Sequence, residues 1–422
     1  MFEIILQPAT FLSEIDLAHR FLYDFLMKPV FELILLFLSS LAFISVIWIV
    51  IPAPAPVIWL FAVAVSEWSL WISLFSILVF LISILNIVLG SGGSISVASI
   101  FLSTVTFAVS VYPFVSTYNI AKANGVSLSF GRYFEGLTKS TNKIDSQTDT
   151  FSSYSGSDLK LDVYLPSRSN SNNGASVIVV HGGSWSKGER SDFPQWNAWL
   201  AENGFTVFDI DYRLSPQPNY LSATADVKCA MAWIADNESK FSIDAGRIAI
   251  LGRSAGAHLA LLAAYSGSEE KIPPSCTSKI EPPNVRAVVS FYAPVELLWA
   301  YDNPANPWVI DGPGTLSNFL GGSPNTKEMS DRYLLASPTT HVDKKTPPTL
   351  IIHGGHDQLV RTENLVFLDE KLTANNVPHQ TLIFPYAQHG FDYNINGWAS
   401  QVTEKVMLKF LEENTGTRSA VN

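Results

Sequence analysis

Charge is scarce in this chain. Only 15% of its 422 residues are Asp, Glu, Lys or Arg, against a hydrophobic fraction of 47% and a mean hydropathy of +0.20. The shortage is local: it falls almost entirely before about residue 114, and the remainder of the chain has the composition of an ordinary globular domain. Basic residues are fewer than acidic ones, and the formal net charge is −10. That balance argues against a nucleic-acid partner, whose phosphates need a basic surface. Cysteine is nearly absent too. Cys229 and Cys276 are too few for a disulfide framework, and neither has zinc-ligand spacing. Cys229 falls in a helical stretch, 223–237, where it is expected as a small buried apolar residue, and Cys276 follows a Pro-Pro pair in a loop. A bridge between them is not expected, so the redox compartment stays open. No internal repeat is evident, and no cofactor is implied.

Where charge is missing, long apolar runs stand instead. Residues 33–51 carry none, about the length that crosses a hydrocarbon core. Pro52, Pro54 and Pro56 break the run, and Glu67 follows. A second run covers 70–89, residues 90–94 read as a tight turn, and a third run, richer in Ser and Thr, covers 95–114. Three such runs in succession are expected as transmembrane helices rather than buried core helices, giving a membrane region at 33–114 behind a tail at 1–32. A cleavable signal peptide fits poorly, because the first thirty residues are acidic as well as basic and the apolar run starts late. Three crossings place the N-terminus and the C-terminal part on opposite sides. Arg20 and Lys28 precede the first span, Lys122 and Arg132 follow the third, and neither connecting loop holds Lys or Arg. The positive-inside count is nearly a tie. Lys28, closest to its span, tips the expectation towards a cytoplasmic N-terminus and an extracytoplasmic C-terminal part. Oligomeric state is not readable.

Residues 115–150 are expected as a linker, and 135–158 in particular is polar and rich in Ser, Thr and Asp. Leu159, Leu161, Val163 and Leu165 then alternate with Lys160, Asp162 and Tyr164, the period of a half-exposed strand. Residues 167–176 read as a turn. Short apolar runs recur at 177–180, 205–210, 248–251, 287–292, 349–352 and 381–384, with helical patterns between them. Such runs predict strands buried on both faces, hence an α/β domain over 151–414 with a mainly parallel sheet and helices on both sides, followed by a tail at 415–422. In open sheets of this kind a ligand sits beyond the carboxyl ends of the strands. Each candidate catalytic residue can be judged by that rule.

Gly252-Arg253-Ser254-Ala255-Gly256 directly follows the strand at 248–251 and opens an apolar helix at 257–264. A serine on so sharp a strand-to-helix turn has its oxygen pushed out above the sheet, and Gly252 and Gly256 avoid collisions with neighbouring backbone. The bland alternative is a Gly-Ser turn ahead of a helix. His181-Gly182-Gly183-Ser184-Trp185 follows the strand at 177–180. Backbone N–H groups of Gly183, Ser184 and Ala255 are the candidate donors to an oxyanion. Among the histidines, His389 lies just after the last strand and so at the carboxyl edge, whereas His379 lies just before it, at the opposite edge. His258, one turn into the helix, is expected to make a structural hydrogen bond; His341 is in an irregular segment and His19 precedes the spans. Asp357 follows the strand at 349–352 and can orient His389 and stabilise its charged form. Asp392 is the alternative acid, weakened by its closeness in sequence to His389. His353, His356 and Asp357 lack a further clustered ligand, so no metal site is expected. Arg213, in Asp211-Tyr212-Arg213, is expected to tie loops together through a buried ion pair.

The order Ser254, Asp357, His389 is that of the α/β-hydrolase fold. The segments HGGSW (181–185), DYRLSP (211–216), GRSAGAHLA (252–260), LGG (320–322), ASP (336–338), HGGHDQLV (353–360) and QHGF (388–391) together resemble the esterase/lipase branch of that superfamily, especially the hormone-sensitive-lipase-like and acetyl-esterase-like carboxylesterases. The resemblance covers about residues 150–414. It implies cleavage of small-molecule or lipid esters through an acyl-enzyme on Ser254, with no metal or cofactor. Ser184 stands where many such proteins have a third glycine, and Ala257 where many have a glycine. The insertion at about 293–338, with Trp299, Tyr301, Trp308 and Phe319, is where this fold places a cap over its acyl pocket. SAGAH beside HGGSW and membrane spans also resembles methylesterases acting on prenylated cysteine. Peptidase or amidase activity on the same fold, and a non-catalytic membrane scaffold, are the remaining alternatives.

Overall fold

The computed structural model describes residues 27–135, 146–154, 156–166, 173–214, 220–267, 269–274, 276 and 281–416. His19, Arg20 and most of the expected N-terminal tail lie outside these residues, as do 136–145 of the expected linker, most of the turn at 167–176, the end of DYRLSP and residues 417–422. The chain divides into two units, one of Met1–Ile51 with Ala64–Val115 and one of Pro52–Val63 with Ser116–Asn422.

In the first unit the three apolar runs become helices. Lys28–Ile49, Ser69–Val88 and Ser94–Ala123 are each long and apolar enough to cross a membrane, which makes the chain a multi-pass membrane protein. The first begins earlier than its charge-free run and takes in Glu32, whose carboxylate accepts hydrogen bonds from Ser96 Oγ at 3.0 Å and from Gly93 N–H. Asn86 Nδ2 donates to the same Ser96 hydroxyl at 3.0 Å. The buried positions include Ser39, Ser73, Ser76, Ser83, Ser96 and Ser99. Such small side chains let helix backbones approach, and their hydroxyls bond locally or across helices, as Ser73 and Ser110 do at 2.7 Å.

Among the described residues the second unit is built on eight strands. They are β1 Ser146–Tyr154, β2 Ser157–Tyr164, β3 Ser176–Val180, β4 Thr206–Ile210, β5 Ile248–Arg253, β6 Ala287–Phe291, β7 Thr349–Gly354 and β8 His379–Phe384, in the order β1-β2-β4-β3-β5-β6-β7-β8. β1 and β2 join antiparallel, and every pairing from β4 to β8 is parallel. All residues of β3 to β7 are buried, which is why those strands read as short, mainly apolar runs, with Asp209 a buried exception in β4. Helix Ala255–Ser266 is buried almost all round, against β5 and β6.

Three expectations change. The polar stretch read as part of a linker contains β1, an edge strand in which only Phe151 is buried and the ladder to β2 supplies what the apolar pattern lacks. Helix Phe130–Glu135 also falls there and is docked: Tyr133 stacks on Trp398 with ring centroids 4.2 Å apart, and Arg132 pairs with Glu404 at 2.6 Å. Finally, Cys229 and Cys276 form a disulfide across 47 residues of sequence. Helix Tyr220–Asp236 packs on Ala255–Ser266, and the loop after the latter brings the two Cα atoms to 5.7 Å, within bridging range. Spacing along the chain carries no trace of that approach.

Candidate active site

Ser254 stands between β5 and helix Ala255–Ser266 with φ 55° and ψ −121°, a region that side chains rarely adopt. The turn is held by a hydrogen bond from Ser254 N–H to Phe291 O at 2.9 Å. It is also held by the absence of a side chain at Gly256, where a Cβ would collide with the carbonyl oxygens of Val180 and His181. Gly252 faces the backbone of Gly256 and Ala257 just as closely. The elbow thus requires the glycines that flank its serine.

His389 and Asp357 arrive from loops after β8 and β7, at the same carboxyl edge. Ser254 Oγ lies 2.9 Å from His389 Nε2, and His389 Nδ1 lies 2.7 Å from Asp357 Oδ2. Asp357 is fully buried, and its Oδ1 accepts from Leu359 N–H at 2.8 Å and Val360 N–H at 2.9 Å. Burial alone would raise its pKa, but the opposing charge of His389 and hydrogen bonds from His353 and His389 hold it well below the usual carboxylate range. An ionised acid beneath an imidazole, with a hydroxyl on the other ring nitrogen, is the arrangement that lets a serine oxygen lose its proton during attack.

The loop after β3 turns through three successive positive φ values, at Gly183 (112°), Ser184 (53°) and Trp185 (58°). A Cβ on Gly183 would collide with Lys187 O, so the loop cannot close over any other residue there. Ser184 therefore stands in a left-handed conformation where glycine would cost less. Gly182, Gly183 and Ser184 line a cavity with Ser254 and His389, and Ala255 lines a second with the same serine. His181 supports the loop from behind. Its ring stacks on Tyr212 at 4.3 Å, Tyr212 Oη donates to His181 O at 3.2 Å, and burial lowers its pKa.

The other candidates fall elsewhere. His379 opens β8, with Nδ1 2.8 Å from Val377 O, at the opposite edge. Buried His258 donates from Nε2 to Ala336 O at 2.8 Å and accepts from Trp185 Nε1 at 3.2 Å, and burial brings its pKa down to about 4. Arg213 pairs with Asp226 at 2.7 Å. Asp392 turns away from His389: its carboxylate lies 2.6 Å from Arg253 Nε and accepts from Tyr292 Oη at 2.6 Å. Tyr292 in turn packs its ring 4.3 Å from that of His389. Sequence reasoning passed over this buried trio. Its signal was Arg253 itself, a charge inside a turn that must be buried and must therefore have a partner.

Two cavities open on Ser254. The smaller runs under helices Leu297–Asp302 and Gly312–Leu320 and is walled by Pro294, Ala300, Pro304, Ile310 and Leu316. The larger shares Ser184, Ile310, Leu359 and His389 with the first and extends towards Trp59 and Leu60.

A sheet of this order, with Ser, Asp and His gathered at its carboxyl edge, is the arrangement of the α/β-hydrolase fold. The chain belongs to the BD-FAE family, whose model matches residues 161–372. It is 31% identical over 246 residues to the "Probable carboxylic ester hydrolase LipM" of Mycobacterium tuberculosis, a match that covers 58% of this chain and 55% of that protein. The chain thus spans little more than half the length of this relative. Among solved structures, a truncated carbohydrate esterase from gut microbiota superposes with a TM-score of 0.55 at 24% identity, covering 65% of this chain and 99% of that one. The butyrate-bound esterase Est2 of Thermogutta terrifontis superposes with a TM-score of 0.54 at 24% identity, covering 66% and 96%. Both are likenesses of fold.

Proposed function

We propose that the chain is a membrane-anchored serine hydrolase that cleaves carboxylic esters through an acyl-enzyme on Ser254. The observation that carries this reading is the unbroken hydrogen-bond chain from Ser254 Oγ through His389 to Asp357 on a strained elbow. In the proposed reaction His389 Nε2 takes the Ser254 proton as Oγ bonds to the ester carbonyl carbon, and Asp357 stabilises the imidazolium. The backbone N–H groups of Gly183, Ser184 and Ala255 hold the oxyanion. The imidazolium then gives its proton to the departing alcohol oxygen. Water, deprotonated by the same imidazole, attacks the acyl-enzyme, and the acid leaves as Ser254 recovers its proton.

We place the catalytic domain at 151–414, with a cap at about 293–338. The names of LipM and Est2 point to the same chemistry, and the motifs from HGGSW to QHGF keep the hormone-sensitive-lipase-like and acetyl-esterase-like carboxylesterases as the finer placement. The Cys229–Cys276 bridge supports an extracytoplasmic position, because thiols in the cytosol are kept reduced. The test is a fluorophosphonate probe on the full-length protein in detergent, alongside hydrolysis of a p-nitrophenyl ester. The expected result is labelling and turnover that both vanish in Ser254→Ala. Undiminished turnover in that variant, or an unlabelled Ser254 in the unmutated protein, overturns the reading.

A further inference from the structure

In sequence, Pro52–Val63 is only the connection between two membrane-crossing helices, yet by its contacts it belongs to the catalytic unit. Its tether is a set of amides. Ala53 N–H donates to Gln358 Oε1 at 2.7 Å, and Asn306 Nδ2 donates both to Ala53 O at 2.6 Å and to Gln358 Oε1 at 2.8 Å. Gln358 in turn donates from Nε2 to Gln388 Oε1 at 2.9 Å. Gln358 directly follows Asp357, Gln388 directly precedes His389, and Asn306 lies in the insertion read as the cap. Ala53, Gln358 and Gln388 are all buried, so these bonds are made away from competing water. Residues 53–60 are thereby held to the same two loops that deliver His389 and Asp357.

The tether sets Trp59 and Leu60 in the wall of the larger cavity. Pro56, Trp59 and Leu60 form one side of it, Val309, Ile310 and Leu359 add further apolar wall, and Ser254 and His389 also line it. Lys187 and Asp192 stand in its polar part. A small polar ester has no use for so much apolar wall, whereas a chain that partitions into lipid gains by covering it. Lying between two membrane-crossing segments, 52–63 is also placed by sequence at a membrane surface, where such a substrate is concentrated.

We propose that Pro52–Val63 is a specificity-determining part of the substrate site, and that the ester taken there carries a long apolar chain lying against Trp59 and Leu60. This rests on the reading of Ser254 as an esterase nucleophile. The connection between the spans is then a working wall of the enzyme, and the smaller cavity under the cap takes the shorter side of the ester.

The test uses full-length protein in detergent with p-nitrophenyl acetate and p-nitrophenyl decanoate, in Trp59→Ala and Leu60→Trp. The first variant removes wall and the second fills the cavity. Leu60 is 61% exposed, so its replacement is tolerated by the fold. In both variants the decanoate-to-acetate ratio of kcat/KM is expected to fall at least tenfold, mainly through KM for decanoate. An unchanged ratio in both, with fluorophosphonate labelling of Ser254 intact, overturns the proposal and leaves the esterase reading standing. Failure of the unmutated protein to label or to cleave either ester overturns the esterase reading itself, and this proposal with it.

Discussion

At the residue scale the site separates two acids that the sequence left in competition. Asp357 has one oxygen on His389 and the other on two backbone N–H groups, so its charge faces the imidazole and is held ionised. Asp392, nearer to His389 in sequence, is taken up by Arg253 and Tyr292. Their variants should fail in different ways. Asp357→Asn keeps the shape but loses the charge and the tautomer control, and kcat is expected to fall about 10³–10⁴-fold with the thermal midpoint little changed. Asp392→Asn leaves a buried guanidinium without its counter-charge, a loss of about 3–5 kcal/mol of stability, while the folded fraction keeps kcat within about tenfold. Steady-state kinetics paired with thermal unfolding on each purified variant would check this; a reversed pattern would make Asp392 the acid. Ser254, Asp357 and His389 could be singled out because each follows a strand at its carboxyl end, and strand ends are visible in an apolar pattern. The Gln358–Gln388 pair was not, since an amide acquires meaning only from partners thirty residues away.

At the scale of elements, strands β3 to β7 were readable because both of their faces are buried and their composition shows it. β1 was not: an edge strand is polar, and its place is set by backbone pairing with β2. Helix Phe130–Glu135 was hidden for a similar reason, since six residues are too few to display a period. The disulfide belongs with these, because it depends on how helix Tyr220–Asp236 meets the loop after Ala255–Ser266. Closing a loop across 47 residues of chain stabilises by about 4 kcal/mol in the chain-entropy view. A reductant is therefore expected to lower the thermal midpoint of the protein by about 5–10 °C. Cys276→Ser should start from that lower midpoint and not respond to reductant. A midpoint that neither reductant nor Cys276→Ser lowers would mean that the bridge contributes no stability.

At the scale of the whole molecule, charge and the disulfide both bear on which side of the membrane holds Ser254. Lys and Arg near the spans leave the positive-inside rule almost balanced, with Lys28 alone tipping it. The disulfide is a second indication, because a bonded cysteine pair persists in an oxidising compartment and is rare where thiols are kept reduced. Both agree with the proposed extracytoplasmic position of the catalytic domain. If so, the two cysteines in intact cells should resist alkylation until a reductant is added after denaturation. A tag at the C-terminus should also be removed by protease in sealed preparations that expose the outer face. A tag cut only when the cytoplasmic face is exposed, together with thiols alkylated without reduction, would reverse the orientation. That outcome would also place the wall formed by Pro52–Val63 at the cytoplasmic surface, so that the apolar ester it is built to hold would be drawn from the inner leaflet rather than the outer one.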